Sequence, residues 1–181
     1  IGTRRLDLSC GLHQLPPEVF ELSDTLEVLN LSGNQLTRLP DDLSRLKRLK
    51  VIFCSDNPFT HLPEVLGECP GLQVVGFKAC RIAHVPSTAL PPALRWLILT
   101  DNEVSRLPPQ LGERPALQKL MLAGNQLQNL PDTLAQATRL ELIRLAANQL
   151  TCLPGWLTSL PRLTWLALAG NPLGWTRPPT A

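Results

Sequence analysis

His61 and His84 stand 23 residues apart, and two imidazoles at a fixed spacing can begin a metal site. A third ligand would be needed, and the same recurring position carries Arg38 before them and Arg106 after them. The pair therefore reads as a solvated ridge of titratable side chains. Asp56 and Asp101 share another recurring position, with Ala79 between them. Two carboxylates can divide acid and base work in hydrolysis, but two acids separated by an intervening alanine read as ordinary surface groups. The chain has no phosphate-cradling glycine loop, no CxxC, no HExxH and no GxSxG. Its five cysteines (Cys10, Cys54, Cys69, Cys80 and Cys152) are odd in number and unclustered. Cys54 and Cys69 occupy positions held elsewhere by leucine, so they read as small buried hydrophobes. The expectation is a segment with no catalytic residue, no metal and no cofactor.

These residues recur because the chain does. Six segments, starting at Leu26, Leu49, Leu72, Leu94, Leu117 and Leu140, each read L-x-x-φ-x-φ-x-x-(Asn or Cys)-x-φ-x-x-φ-Pro, where φ is apolar. Every apolar slot is filled, against a hydrophobic content of 44%. Chance would achieve that with a probability on the order of 10⁻¹¹. The proline slot is also full: Pro40, Pro63, Pro86, Pro108, Pro131 and Pro154. A seventh segment starts at Leu163, and a degenerate one leads from about Thr3 with Leu6, Leu8, Leu12 and Leu15. The pattern predicts a solenoid of about eight units over residues 3–175, a single elongated domain, with 176–181 as tail or linker.

Within a unit, Leu29 and Leu31 alternate as strand residues do. Three to five residues cannot stand as a strand alone, but stacked in parallel about 4.8 Å apart they form one long sheet. Asn34, Asn57, Asn102, Asn125, Asn148 and Asn171 hold one slot just after the strand, where an amide can both donate to and accept from buried turn backbone. Cys80 takes that slot in one unit and promises a weaker link. The recurring proline fixes φ and removes a donor, so the return should be irregular or 3₁₀, with at most one helical turn.

"LEVLNLSGNQLTRLPDDLSRL" and "LQKLMLAGNQLQNLPDTLAQA" resemble the leucine-rich repeat family in its intracellular 23-residue LPxxL form. That resemblance implies an α/β, right-handed solenoid with a curved parallel sheet inside and short 3₁₀ or irregular returns outside. It also implies a scaffold whose partners vary freely. "FCSDNPFTHLPEVLG", "GFKACRIAHVP" and "LPPALRWLILTDN" are similar to the N-terminal repeats of bacterial proteins in which this module precedes a protein-kinase-like domain. On that resemblance the repeats would be a substrate-selecting or regulatory domain of a larger bacterial enzyme, kinase-like or an effector ubiquitin ligase. No kinase motif occurs in the chain itself.

The inner sheet face carries the functional expectation. One outward column reads Val28, Val51, Val74, Trp96, Lys119, Leu142, Trp165, and the next reads Asn30, Phe53, Gly76, Ile98, Met121, Arg144, Ala167. Side-chain alternation turns these residues toward water, yet most are apolar. Good strand formers account for the single valines. They account less well for Phe53, Trp96, Ile98, Met121 and Trp165 together, which suggests a docking stripe. Gly76, between Phe53 and Ile98 with Trp96 diagonal to it, reads as a dip with apolar walls. Lys119, Arg144, Lys78 and Asp101 are placed to set orientation. Beyond the strands, Ala123, Gly124, Ala146, Ala147, Ala169 and Gly170 make a smooth rim, explained equally by close partner approach or by a tight turn. The partner is therefore expected to be a protein on the concave face, bound by a monomer.

Formal charge is +2 with Lys and Arg scattered, which argues against nucleic acid and anionic lipid, and no apolar run is long enough to span a membrane. The unpaired cysteine count and the absence of a cysteine cluster at either end favour a reducing, cytoplasmic setting. At the ends of the stack, Phe20 is expected over the N-terminal edge and Trp175 across the last layer, and the thin lid there leads to the expectation that the chain is a fragment or that another domain follows.

Overall fold

The computed structural model describes residues 2–174. Eight three-residue strands run in chain order: β1 (Arg5–Asp7), β2 (Val28–Asn30), β3 (Val51–Phe53), β4 (Val74–Gly76), β5 (Trp96–Ile98), β6 (Lys119–Met121), β7 (Leu142–Arg144) and β8 (Trp165–Ala167). All seven neighbouring pairs are parallel, and they form one curved, unclosed sheet ordered β1 to β8. Register follows the repeat, with Val28 beside Val51, Val51 beside Val74, Val74 beside Trp96 and Lys119 beside Leu142. The 22-residue spacing between β4 and β5 leaves this register intact, so the missing residue is absorbed in the outer return.

The returns are 3₁₀ turns: η1 (Pro17–Leu22), η2 (Asp41–Arg45), η3 (Glu64–Glu68), η4 (Ser87–Ala89), η5 (Pro109–Glu113), η6 (Asp132–Gln136) and η7 (Gly155–Ser159). Each follows a proline held extended, for example Pro40 at φ −67° and Pro131 at φ −65°. That proline delays helix onset, and the five residues left are too few for more than a tight turn. Most turns run slightly longer than the single turn expected. The six-residue η1 absorbs the extra residue of the leading unit, while η4 has only three. No α-helix occurs among the described residues, so the outer layer is 3₁₀ throughout. Successive turns pack closely enough that a Cβ at Gly112 would meet the backbone of Thr133 and Leu134, and one at Gly67 the backbone of Thr88.

The core is a set of layers rather than a centre. Leu29, Ile52, Val75, Leu97, Leu120 and Ile143 at the strand midpoints are fully buried, as are Leu26, Leu72, Leu94, Leu117 and Leu140 one slot earlier in their units. The asparagines bind the layers together. Asn125 donates through Nδ2 to the carbonyls of Leu99 and Leu122 and accepts from the Val104 amide at 3.0 Å. Asn57, Asn102 and Asn148 repeat that arrangement. Cys80 reaches the Cys54 carbonyl only through a thiol at 3.4 Å, which is the weaker link expected. The residue before each ladder position turns left-handed: Gly33, Gly124 and Gly170, but also Asp56, Ala79, Asp101 and Ala147 at φ 53–58°. Asp56 and Asp101 therefore sit where the turn demands positive φ.

At the N-terminal end, Phe20 is half-buried on the convex side, with the Arg45 guanidinium 5.0 Å over its ring. It packs toward the second unit rather than across the open edge. In the unit that starts at Leu140, Leu153 is 42% exposed, where its counterparts Leu62 and Leu107 are buried. Trp175 and the tail lie outside the described residues.

Candidate partner-binding face

The sheet register lines up the two outward columns as the sequence implies. Val51, Phe53, Trp96, Ile98, Lys119, Met121, Leu142 and Arg144 are half-buried. Val74 is only 8% exposed and Gly76 is buried, so these two do not face water as expected. Strands this closely spaced pack outward side chains flank to flank, and large neighbours cover small ones. The expected dip is filled for the same reason. A Cβ at Gly76 would lie 2.6 Å from Phe53 Cδ1, so the Phe53 ring lies over the glycine. Of the aromatic groups on this face, Trp165 is the open one, at 54% exposure.

Both tryptophans are topped by a cation from the adjacent strand. Lys119 Nζ sits 4.2 Å from the Trp96 ring centroid, and the Arg144 guanidinium 5.0 Å from that of Trp165. A cation over the ring face is held by its quadrupole and keeps the indole edge available. Trp96 is also anchored at its edge: Nε1 donates to Gln118 Oε1 at 3.0 Å. The same oxygen accepts from Arg95 Nη2 at 3.1 Å, and Gln118 Nε2 donates to Glu141 Oε2 at 2.8 Å. The face is thus an aromatic and cationic surface with a built polar border.

Sequence reasoning missed that border. Glu27, Lys50, Gln73, Arg95, Gln118 and Glu141 occupy the slot just before β2 to β7, and all are polar. Reading that column beside the two outward ones would have found it. Lys78 and Asp101 lie exposed at the opposite edge, past the strand ends, away from the tryptophan pair. The smooth rim is resolved in part: Gly124 and Gly170 have positive φ, which favours glycine, while Ala147 holds the same backbone conformation as Asp56 and Asp101 in that slot.

His61 and His84 adjoin through a parallel β-bridge, with both side chains exposed on the ridge near Arg38 and Glu64. Among the described residues no group of three metal-binding side chains converges. Burial pushes the thiols of Cys54 and Cys80 up from the ordinary value, and that of Cys69 up to about 11. Such thiols are protonated and poor nucleophiles at neutral pH. No helix among the described residues is long and apolar enough to cross a membrane.

Comparisons with known proteins agree with this architecture. The profile described as "Leucine rich repeat" matches residues 92–150 and 115–173, and that for "Leucine Rich repeats (2 copies)" matches 24–75. The chain belongs to the leucine-rich repeat family. A leucine-rich repeat protein of Leptospira interrogans superposes with a TM-score of 0.70 at 25% identity, covering 95% of this chain and 56% of that one. TLR13, solved in complex with ssRNA13, superposes with a TM-score of 0.85 at 27% identity, covering 96% of this chain and 26% of its own. The chain therefore spans about half and about a quarter of these neighbours' lengths. Comparison with curated proteins gave no match. Repeats of this family generally mediate protein–protein interaction and are typically non-enzymatic.

Proposed function

We propose that this chain is a non-enzymatic interaction module that binds a protein partner on its concave face, chiefly over β5 to β8. The supporting observation is Trp165, a large aromatic left half open on a packed sheet and oriented by Arg144. Aromatic and arginine side chains of this kind dominate interface energies once desolvated. Phe53, Ile98, Met121 and Leu142 add shape around it, while Val51, Val74 and Gly76 form the floor toward β3. Residues 3–175 act as one unit, monomeric and in a reducing, cytoplasmic compartment.

The test is affinity capture followed by quantitative mass spectrometry, comparing the unaltered chain with Trp165→Ala and with a convex-side control, Arg38→Ala. The expected outcome is a protein retained by the first and the control but reduced at least tenfold with Trp165→Ala, about 1.4 kcal/mol of binding or more. Equal retention by all three removes the concave face from the account. Trp96→Ala is the less clean probe, since it also breaks the Gln118 contact.

A second reading rests on the coverage of the neighbours, in both of which the match is part of a longer chain. Under it, the repeats select substrates for a larger bacterial enzyme of kinase-like or ubiquitin-ligase type. The mass of the native polypeptide tests it directly.

A further inference from the structure

Resting on the concave-face reading above, we infer that the partner presents an acidic segment whose carboxylates seat at the N-terminal border of β5 to β8. The seat is a small notch lined by Arg95, Gln118, Arg139, Glu141 and Arg162. Three guanidiniums surround one carboxylate there, and that carboxylate is already engaged by the Gln118 amide. The ion pairs among the described residues are Arg5–Asp7, Arg45–Asp42 and Lys50–Glu27, all within the first three units. Among the described residues Arg95, Arg139 and Arg162 thus have no acid within 4.0 Å, whereas Arg5 and Lys50 on the early strands are each paired with a carboxylate.

The notch is continuous with the tryptophan pair. Gln118 Oε1 accepts from both Arg95 and Trp96, so the arginine border and the aromatic floor are fixed by one side chain. Lys119 and Arg144 stand over the floor. Together these give five cations and one acid on a local surface, in a chain whose formal charge is only +2. Asp101 lies at the other edge of the sheet, past the end of β5. A guanidinium fork pairs with a carboxylate through two parallel hydrogen bonds, and three such forks distributed from β5 to β8, three strand spacings, span roughly 14 Å. That length suits two or three acidic side chains of an extended peptide, with apolar residues between them meeting Met121 and Trp165. A polynucleotide gains affinity by neutralising many phosphates along a basic track, and here the track ends where the ion pairs of the early units begin.

Three fluorescent probes test this by anisotropy: a 12-residue alternating Glu/Leu peptide, the matching Lys/Leu peptide, and a 20-nucleotide oligouridylate. The expected result is that the acidic peptide binds at least tenfold more tightly than either other probe. Arg139→Glu combined with Arg162→Glu reverses the peptide preference, with an unchanged thermal transition because both positions are exposed. Trp165→Ala weakens the acidic peptide as well. If the acidic peptide loses affinity with Trp165→Ala but is indifferent to the double charge reversal, this inference fails and the concave-face reading stands. Indifference to both sets of changes overturns both. Tighter binding of the oligouridylate, or equal binding of the two peptides, overturns the acidic-segment assignment.

Discussion

At the scale of single residues, position in the layer sets chemistry more than residue type does. Five cysteines share one chain, yet Cys10 and Cys152 are exposed while Cys54 and Cys69 are buried. The Cys69 thiol is held at about 11, first by burial and then by Glu68. A group whose folded value lies above its unfolded value near 9 favours the folded state below pH 9. That advantage is lost as pH rises from 9 toward 11, because only the unfolded chain ionises there. The melting temperature should therefore fall across that window, and Cys69→Ala should flatten the fall relative to its own value at pH 7. A Cys69→Ala profile as steep as the parent's would show that the thiol does not contribute. The same dependence on position separates the two tryptophans. Trp96 is pinned at its edge by Gln118, and Trp165 is left open.

At the scale of the elements, close approach on the outside and hydrogen-bond linkage beneath the strands decide stability. Gly112 lies where η5 meets the backbone of η6, so a methyl group there forces two turns apart. Gly112→Ala should cost about 2–3 kcal/mol in urea unfolding, without changing affinity at the concave face. The ladder offers the converse change. Cys80 stands where an amide would donate to the Cys54 and Phe77 carbonyls and accept from the Phe59 amide. Cys80→Asn should stabilise the chain by about 1 kcal/mol, read as a rise of a few degrees in melting temperature. A fall would mean that the 22-residue unit containing it cannot accommodate the ladder geometry. Such details explain how much was legible beforehand. Each strand, turn and ladder position follows from a spacing that recurs, so the register of Val28, Val51 and Val74 could be read directly. The burial of Gly76 could not, because it depends on the rotamer of Phe53, a residue from the neighbouring layer.

At the scale of the whole molecule, stability is a sum over layers, each supported only by its neighbours. Units built on β2 to β7 have a layer on both sides, and the outermost units have one. Amide hydrogen exchange should accordingly be slowest at Leu97 and Leu120 and fastest in the first and last units, with protection graded outward. Uniform protection from end to end would indicate a single cooperative block instead. Charge is distributed with the same polarity. The ion pairs among the described residues all fall in the first three units, while the notch beside β5 to β8 holds arginines without a paired acid.

The sequence by itself determined the repeat, the parallel sheet, the 3₁₀ returns and the inner face, because each follows from apolar periodicity, a proline at a fixed offset and an amide at another. Those are properties of one unit read many times. Only the tertiary structure decided which inner residues stay open, that Phe53 fills the place kept empty at Gly76, and that Gln118 joins an arginine border to a tryptophan. Contacts of that kind run between side chains more than twenty residues apart, and their outcome depends on which neighbour is larger and which polar atom finds a partner. A one-dimensional pattern places those side chains beside each other but does not rank them.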